Sequence, residues 1–282
     1  MKLRKGALPK QIIEQLIMAE FIQNAELKNV KPASLDLSIS DEIYLVKGVF
    51  LPRPEEEAYQ AFKNLIIHKH NLAEPLAANK TYLARLSEKL NLPSSVYAYA
   101  NPKSTSGRNN IQARLIADGV ARYDSLPAGF SGDLWIVITP KSFPVLLSPG
   151  NTLNQLRFFT GDTRFDAFEL EIAYKQFSLL FDKQKKFLAY EDLKINDYDG
   201  SLILTIDLKT ELIGWKAINT LQVLDFSKIN YYEPSGFFEP LYPLKNNQMV
   251  LKQNEFYVLS TKERLRVPPD LAAEMAAVDE RS

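Results

Sequence analysis

A short polar segment, residues 101–108, carries the side chains with the clearest chemical potential. It directly follows the apolar and aromatic strand pattern of residues 96–99. Pro102 and Gly107 interrupt that strand pattern, so the segment can present hydroxyls and backbone amides around one point. Its hydroxyls and cations are Ser104, Thr105, Ser106, Lys103 and Arg108. This combination favours a phosphorylated ligand, although an ordinary polar hairpin loop would use the same residue types.

The composition describes a chain that can bury a substantial core. It has 282 residues, a formal net charge of zero and 46% hydrophobic residues. This length suits two domains or a single large all-β unit. The balanced charge argues against a surface devoted to nucleic acid or to an acidic membrane, so we expect neither as a partner.

The absence of cysteine removes several kinds of chemistry. A disulfide framework, a thiolate-zinc site and a cysteine nucleophile are all excluded. The two histidines, His68 and His70, would point to the same side of a strand. A metal pair is one interpretation, but we favour a solvated strand or loop end because no third ligand lies nearby in sequence.

No apolar run approaches the roughly 18 residues of a membrane span, and the basic N-terminus lacks the apolar core of a signal peptide. These features predict a cytoplasmic protein.

The elements that position the polar segment are mostly short strands. Apolar residues at helical spacing predict one helix over residues 9–25. Beyond residue 34 the pattern alternates, and turns rich in proline and glycine separate short strands. The predicted strands are residues 34–39, 42–46, 81–86, 95–100, 113–116, 132–138, 144–147 and 155–159. We therefore predict an all-β barrel or jelly roll behind one leading helix.

The second part of the chain repeats part of the first. Residues 79–83 match residues 254–258, and residues 87–93 match residues 262–268, at a constant offset of 175 (254 − 79 and 268 − 93). A register kept across Tyr, Glu, Leu and Pro predicts a tandem duplication of one β domain. The predicted domains are 1–168 and 169–282. The polar segment begins again only at Arg281-Ser282, so we expect the second copy to be incomplete.

Four motifs occur in order between residues 33 and 158. They are residues 33–37, 102–108, 117–132 and 149–156. With this order and spacing the sequence resembles the two-domain bacterial dCTP deaminases of the trimeric dUTPase-like superfamily. The resemblance implies a distorted β-barrel, duplicated here, and hydrolytic deamination of dCTP to dUTP and ammonia. It also implies a homo-oligomer, a trimer in the family, with active sites between subunits. No zinc is expected, and Mg²⁺ would enter bound to the nucleotide triphosphate.

The resemblance further implies roles for individual residues. Ser104 would orient the attacking water or accept hydrogen bonds from the leaving group, and Arg108 would stabilise charge developing near the pyrimidine. The groups expected to hold phosphates are Lys103, Thr105, Ser106, Arg122 and Gln155. Asp124 and the backbone of residues 118–120, beginning at Asp118, would face the deoxyribose and base. Two bland alternatives stay open: Asp124 caps a turn, and Gln155 is an exposed strand residue.

One position departs from the family pattern. The deaminases carry a catalytic glutamate on the strand after the hairpin, because water must be deprotonated and ammonia protonated. Val137 takes that place here. Three explanations stay open. The first copy relies on the second, Asp133 or Asp118 does the work, or the first copy binds nucleotide without turnover.

Two other functions therefore compete with dCTP deamination. A dUTP diphosphatase would need a hairpin carboxylate such as Asp124 to activate water at phosphorus, but a Gly-rich C-terminal arm is not found in the sequence. A non-catalytic nucleotide-binding or regulatory module on the same fold would need no base at all, and Val137 favours it.

Overall fold

The structure is a computed structural model that describes residues 5–196 and 200–275. The chain divides into two compact units. One comprises Met1–Asp162 with Ala217–Glu239, and the other comprises Thr163–Lys216 with Pro240–Ser282. The domain boundary after residue 168 remains a prediction beside this division. In the described ranges, no helix is long and apolar enough to cross a membrane.

The secondary structure is dominated by strands. The α-helices are α1 (Lys10–Met18), α2 (Ala58–Phe62), α3 (Ser104–Arg108) and α4 (Ala167–Phe177). The strands are β1 (Ile22–Gln23), β2 (Val30–Lys31), β3 (Ser34–Val46), β4 (Ile66–Lys69), β5 (Thr81–Asn91), β6 (Tyr97–Pro102), β7 (Ile111–Ala117), β8 (Ser125–Leu126), β9 (Ser131–Pro140), β10 (Val145–Leu146), β11 (Thr152–Phe159), β12 (Leu180–Phe181), β13 (Lys194–Ile195), β14 (Leu202–Ile203), β15 (Gly214–Ala217), β16 (Leu224–Asp225), β17 (Phe238–Leu241), β18 (Tyr257–Leu259) and β19 (Arg264–Leu265).

The leading helix is shorter than the prediction over residues 9–25. It ends at Met18, and the chain then adopts a left-handed conformation at Glu20 (φ 59°) before entering β1. Ile13 and Leu16 bury the apolar face of α1 against the barrel. Phe21 still packs on the same core, but from the turn. Hydrophobic spacing therefore predicted which residues are buried without locating the helix end.

A ten-stranded sheet forms the first unit. Its strand order is β7-β9-β5-β3-β11-β6-β8, with β1 on β5 and with β2 and β4 on β3. The neighbouring strands along this path are antiparallel. The predicted strands 34–39 and 42–46 are one strand, β3, with a register shift between Ile39 and Ile43. The nearly closed sheet confirms the prediction of an all-β, barrel-like fold.

The core lies inside this barrel-like sheet. Alternate residues of the long strands point inward, so each strand contributes an apolar row. The inward residues include Leu37, Leu86, Ile136 and Phe158, all almost fully buried. A smaller cluster on the outer face packs Phe62 of α2 edge-to-face on Trp135 of β9 (ring centroids 5.1 Å apart).

Among its described residues, the second unit contains one α-helix and short strand pairs. Helix α4 begins with a capping box, in which the Asp166 side chain accepts from the Glu169 amide and the Glu169 side chain accepts from the Asp166 amide. The strands pair antiparallel as β12 with β19, β13 with β14 and β15 with β18. Tyr174, Leu179 and Leu180 form its small buried core.

The segments that repeat in sequence also share local geometry. Asn79 and Asn254 both adopt positive φ (60° and 61°). The matching hydrogen bonds of the two segments are Ala77 N to Tyr82 Oη (2.9 Å) and Lys252 N to Tyr257 Oη (3.1 Å), then Ser38 N to Glu88 Oε2 (3.0 Å) and Thr205 N to Glu263 Oε2 (2.7 Å). This correspondence supports tandem duplication, which remains our proposal. Arg281 and Ser282, where the second polar segment was expected, lie outside the described residues.

Candidate functional site

The polar segment forms the short helix α3 between β6 and β7. Pro102 is the last paired residue of β6, and the Lys103 amide then donates to the Leu153 carbonyl of β11 (2.9 Å). The buried Ser106 hydroxyl donates to the same carbonyl (2.6 Å). Two hydrogen bonds to one carbonyl therefore fix α3 on β11. Ser104 and Thr105 remain exposed on the outer side of the helix.

The structure brings the two predicted catalytic residues together. Ser104 and Arg108 are four positions apart in α3, so their side chains lie on the same helix face. Arg108 Nε donates to the Ser104 carbonyl oxygen (3.2 Å). Both residues are exposed, and in the described part of the chain the Arg108 Nη groups have no protein acceptor. A hydroxyl and a guanidinium thus point from one surface toward solvent.

Lys103 is held differently from its neighbours. Its ammonium donates to Asp36 Oδ2 (2.6 Å) and to Thr152 Oγ1 (2.7 Å). Asp36 lies on β3 and is buried, with 3% of its surface exposed. Lys31 Nζ lies 3.7 Å from the same carboxylate. Sequence reasoning gave Lys103 a phosphate-binding role, whereas in this geometry its charge is engaged by the protein.

Asp118 connects three elements around the hairpin. Its Oδ1 accepts from the Ala58 amide at the start of α2 (2.8 Å), and its Oδ2 accepts from the Asp133 amide of β9 (2.8 Å). Each carboxylate oxygen therefore satisfies one backbone amide. Asp133 in turn pairs with Arg85, and with Lys89 at 3.3 Å.

Removing the Asp118 carboxylate is expected to destabilise the fold. Asp118→Ala leaves the Ala58 and Asp133 amides without their acceptors, a loss of about 2–4 kcal/mol in the free energy of unfolding. Urea denaturation measures the effect, with Asp41→Ala, at an exposed position of β3, as the matched control. Equal stability of the two variants contradicts this structural role.

Asp124 closes the turn that follows β7. It adopts positive φ (57°), its Oδ1 accepts from the Leu115 amide (2.6 Å), and its carboxylate pairs with Arg114. Burial raises the pKa of Asp124, while the Leu115 amide and Arg114 act in the opposite direction. This geometry supports the interpretation that Asp124 caps a turn. Arg122, two residues earlier, is exposed.

Gln155 lies on β11, in register with Asp36 of β3 and Asn101 of β6. Its Oε1 accepts from the Ser34 hydroxyl (3.2 Å), and the residue is half-buried. Gln155 thus joins the outer face of the same strands that carry Asp36, next to the strand end from which α3 begins.

Val137 lies on the outer face of β9, paired with Leu83 on one side and Arg114 on the other. It is half-buried and, like Tyr123, packs against the buried cluster that contains Trp135. The position where the resemblance led us to expect a glutamate therefore belongs to a largely apolar surface in this chain.

A glutamate introduced at this position is expected to destabilise the protein without increasing deamination. Val137→Glu would place a carboxylate among apolar and aromatic side chains, which costs about 1–3 kcal/mol. Urea denaturation and an ammonia assay with dCTP measure the two effects, and Val137→Gln is the control, since glutamine has the size of glutamate without its charge. A gain of ammonia release over the wild type would show that this surface opens to substrate.

The two histidines differ in their exposure to solvent. His68 on β4 is exposed, but His70 is buried, contradicting the favoured interpretation for that residue. His70 Nε2 lies 3.1 Å from the Glu74 carbonyl oxygen, and its ring packs edge-on against Tyr82. Across the described ranges, no cluster of three His, Asp or Glu side chains is placed to hold a metal.

Sequence reasoning assigned no role to Asp36, Thr152 or Glu88. Asp36 stood within the first motif, as the polar member of an alternating strand, and its burial was the missing information. Glu88 is buried on β5 with 1% of its surface exposed. It stood within the repeated segment, and the repetition of a glutamate at the same place is the signal that was available.

The barrel and the α3 surface define a dUTPase-like hydrolase of nucleotide metabolism. Family models match residues 4–162, as the 2'-deoxycytidine 5'-triphosphate deaminase N-terminal domain, and residues 176–282, as the corresponding C-terminal domain. The chain therefore belongs to the 2'-deoxycytidine 5'-triphosphate deaminase family. The predicted activity, deamination of dCTP to dUTP, is confirmed at this level.

A solved structure agrees with the family assignment. The crystal structure of 2'-deoxycytidine 5'-triphosphate deaminase from Agrobacterium tumefaciens aligns with a TM-score of 0.84 at 28% identity, covering 94% of this chain and 76% of that chain. The native dUTPase of EIAV aligns at 15% identity with a TM-score of 0.25, over 33% of this chain and 71% of that chain, which is too weak to support an argument. No curated protein sequence matches the chain.

Proposed function

We propose that the chain hydrolyses the 4-amino group of dCTP at a site built on the outer face of α3. The observation that carries this proposal is the pairing of Ser104 and Arg108 on one exposed face, with Arg108 Nε 3.2 Å from the Ser104 carbonyl oxygen. Addition of water to C4 of cytosine places negative charge on the pyrimidine. A guanidinium held beside the ring stabilises that charge, and the Ser104 hydroxyl orients the water.

The phosphate contacts come from polar groups that remain at least partly accessible to solvent. Thr105 and Arg122 are exposed, and Gln155 is half-buried at the neighbouring strand end. Four other candidates have polar atoms that are hydrogen-bonded within the protein, and we propose that these residues hold the fold in place rather than bind phosphate: Lys103, Ser106, Asp118 and Asp124. We therefore expect substitutions of the accessible residues to change nucleotide affinity. Substitutions of the hydrogen-bonded residues should instead change the local structure.

Mg²⁺ enters this proposal bound to the triphosphate. The α3 surface offers hydroxyls and cations rather than a carboxylate cage, which suits a metal held by phosphate oxygens. The metal would neutralise phosphate charge as the nucleotide binds. A rise in the KM for dCTP when Mg²⁺ is chelated, with no loss of folded protein, tests this role.

We further propose a homo-oligomer, a trimer by family resemblance, acting in the cytoplasm. Val137 supplies no proton-transfer group, so the base that activates water must come from another residue or another copy of the chain. A subunit boundary at the site would provide it. The molar mass in solution tests the trimer, and a monomeric enzyme with full activity contradicts a shared site.

Product analysis distinguishes the three functions. Ammonia from dCTP indicates deamination, and pyrophosphate from dUTP indicates a diphosphatase. Thermal stabilisation by nucleotide without either product indicates the binding module that Val137 favours.

Ser104→Ala should abolish most ammonia release, whereas Ser95→Ala, also at an exposed serine, should not. Equal activity of these two variants would remove Ser104 from the mechanism.

A further inference from the structure

A buried carboxylate lies directly behind the proposed site. The Asp36 side chain is only 4% exposed, yet two lysines approach it. Lys103 Nζ is at 2.6 Å and Lys31 Nζ at 3.7 Å, both from Oδ2. A buried charge is stable only when it is paired and hydrogen-bonded. The shorter contact, to the less exposed lysine, therefore satisfies most of this requirement.

Lys103 transmits this contact to α3. It is the residue immediately before the helix, and its carbonyl accepts from the Gly107 amide (2.9 Å). Its own amide donates to Leu153, and its ammonium donates to Thr152 (2.7 Å). The first turn of α3 is thus tied at its backbone to β11 and at its side chain to β3. The face that carries Ser104 and Arg108 has its direction set by these ties.

We propose that Asp36 is a positioning residue, which orients Ser104 and Arg108 by holding Lys103 in place. This inference rests on the proposed function, because it assigns the orientation of that site. Lys103 then acts as an anchor and not as a phosphate ligand. A phosphate that drew the ammonium away from Asp36 would leave this buried carboxylate with Lys31 alone, at 3.7 Å, which is unfavourable.

Four variants test the proposal: Asp36→Asn, Lys103→Met, the double variant of these two, and Lys31→Met as the matched control. Lys31→Met removes the second lysine near the same carboxylate but leaves the Lys103 contact intact. Hydrogen exchange of the Gly107 amide, followed without nucleotide, reports on α3 alone. Asp36→Asn and Lys103→Met should each speed this exchange about 10-fold or more, and Lys31→Met should not.

Kinetics with dCTP provide the second measurement. Asp36→Asn and Lys103→Met should each lower kcat about 10–100-fold while changing KM less than about 3-fold. The kcat of the double variant should be no lower than that of the poorer single variant, because both substitutions remove the same contact. If Asp36→Asn does not fold, Thr152→Val removes one ammonium contact and should change exchange and kcat in the same direction.

The opposite pattern overturns the proposal. If Lys103→Met raises KM about 10-fold or more with unchanged Gly107 exchange, and Asp36→Asn has no effect, Lys103 binds phosphate directly. A wild-type chain without ammonia release contradicts the proposed function instead. In that case the nucleotide-free exchange data still decide whether Asp36 holds α3.

Discussion

Arg108→Met is expected to lower kcat/KM for dCTP by about 10²–10³-fold. The guanidinium lies on the exposed face of α3 above the Ser104 turn, with its Nη groups directed away from the Nε contact. Developing charge on the pyrimidine requires a donor that is already oriented, and methionine keeps most of the unbranched apolar stem without the charge or the donors. Because Arg108 is exposed, its loss should leave the free energy of unfolding nearly unchanged.

Arg53→Met is the matched control for this experiment. Arg53 is exposed and lies in the loop between β3 and α2, so the same substitution changes the net charge equally. Ammonia release under subsaturating dCTP measures kcat/KM for both variants. A loss in Arg108→Met no larger than in Arg53→Met would show that Arg108 does not act on the transition state.

The position of the polar segment was predictable because short-range chemistry determines it. Pro102 ends the pairing of β6, and Ser104 and Arg108 are four positions apart in sequence. The segment was expected to be a loop, but it forms the helix α3, which brings these two residues onto one face. The alternation that begins at Ser34 likewise predicts which side chains face the barrel interior. Such features depend on neighbours within a few residues, so sequence patterns contain them.

The partners of the polar side chains were not predictable in the same way. Lys103 meets Asp36 across 67 residues of sequence, and Asp118 meets the Ala58 amide across 60. A lysine beside serines predicts phosphate binding until the structure places a buried carboxylate next to it. Inclusion of residues 217–239 in the first unit is also a result of long-range packing. Composition and residue spacing cannot predict contacts between residues that are so far apart in sequence.

Glu88→Gln is expected to remove a pH dependence of stability worth about 3 kcal/mol between pH 4.5 and pH 8. Burial raises the pKa of Glu88 from its ordinary value of 4.5 to about 7, although the Ser38 amide donates to both carboxylate oxygens and opposes the shift. The folded state therefore binds a proton that the unfolded state releases near pH 4.5. As the pH rises from there to 7, this group destabilises the folded protein.

The sign of this effect separates Glu88 from an ordinary ion-paired carboxylate, which stabilises the folded state as pH rises. Urea denaturation at several pH values should show the glutamine variant gaining on the wild type from pH 4.5 upward and levelling off above pH 7. Glu74→Gln, at an exposed glutamate, should keep a constant difference from the wild type over that range. A constant difference for Glu88→Gln as well would mean that Glu88 ionises as readily in the folded barrel as in water. Glu88 binds the Ser38 amide, and Ser38 lies on β3 two residues from Asp36. A constant difference would therefore also show that the charge on Glu88 does not disturb the strand that carries Asp36.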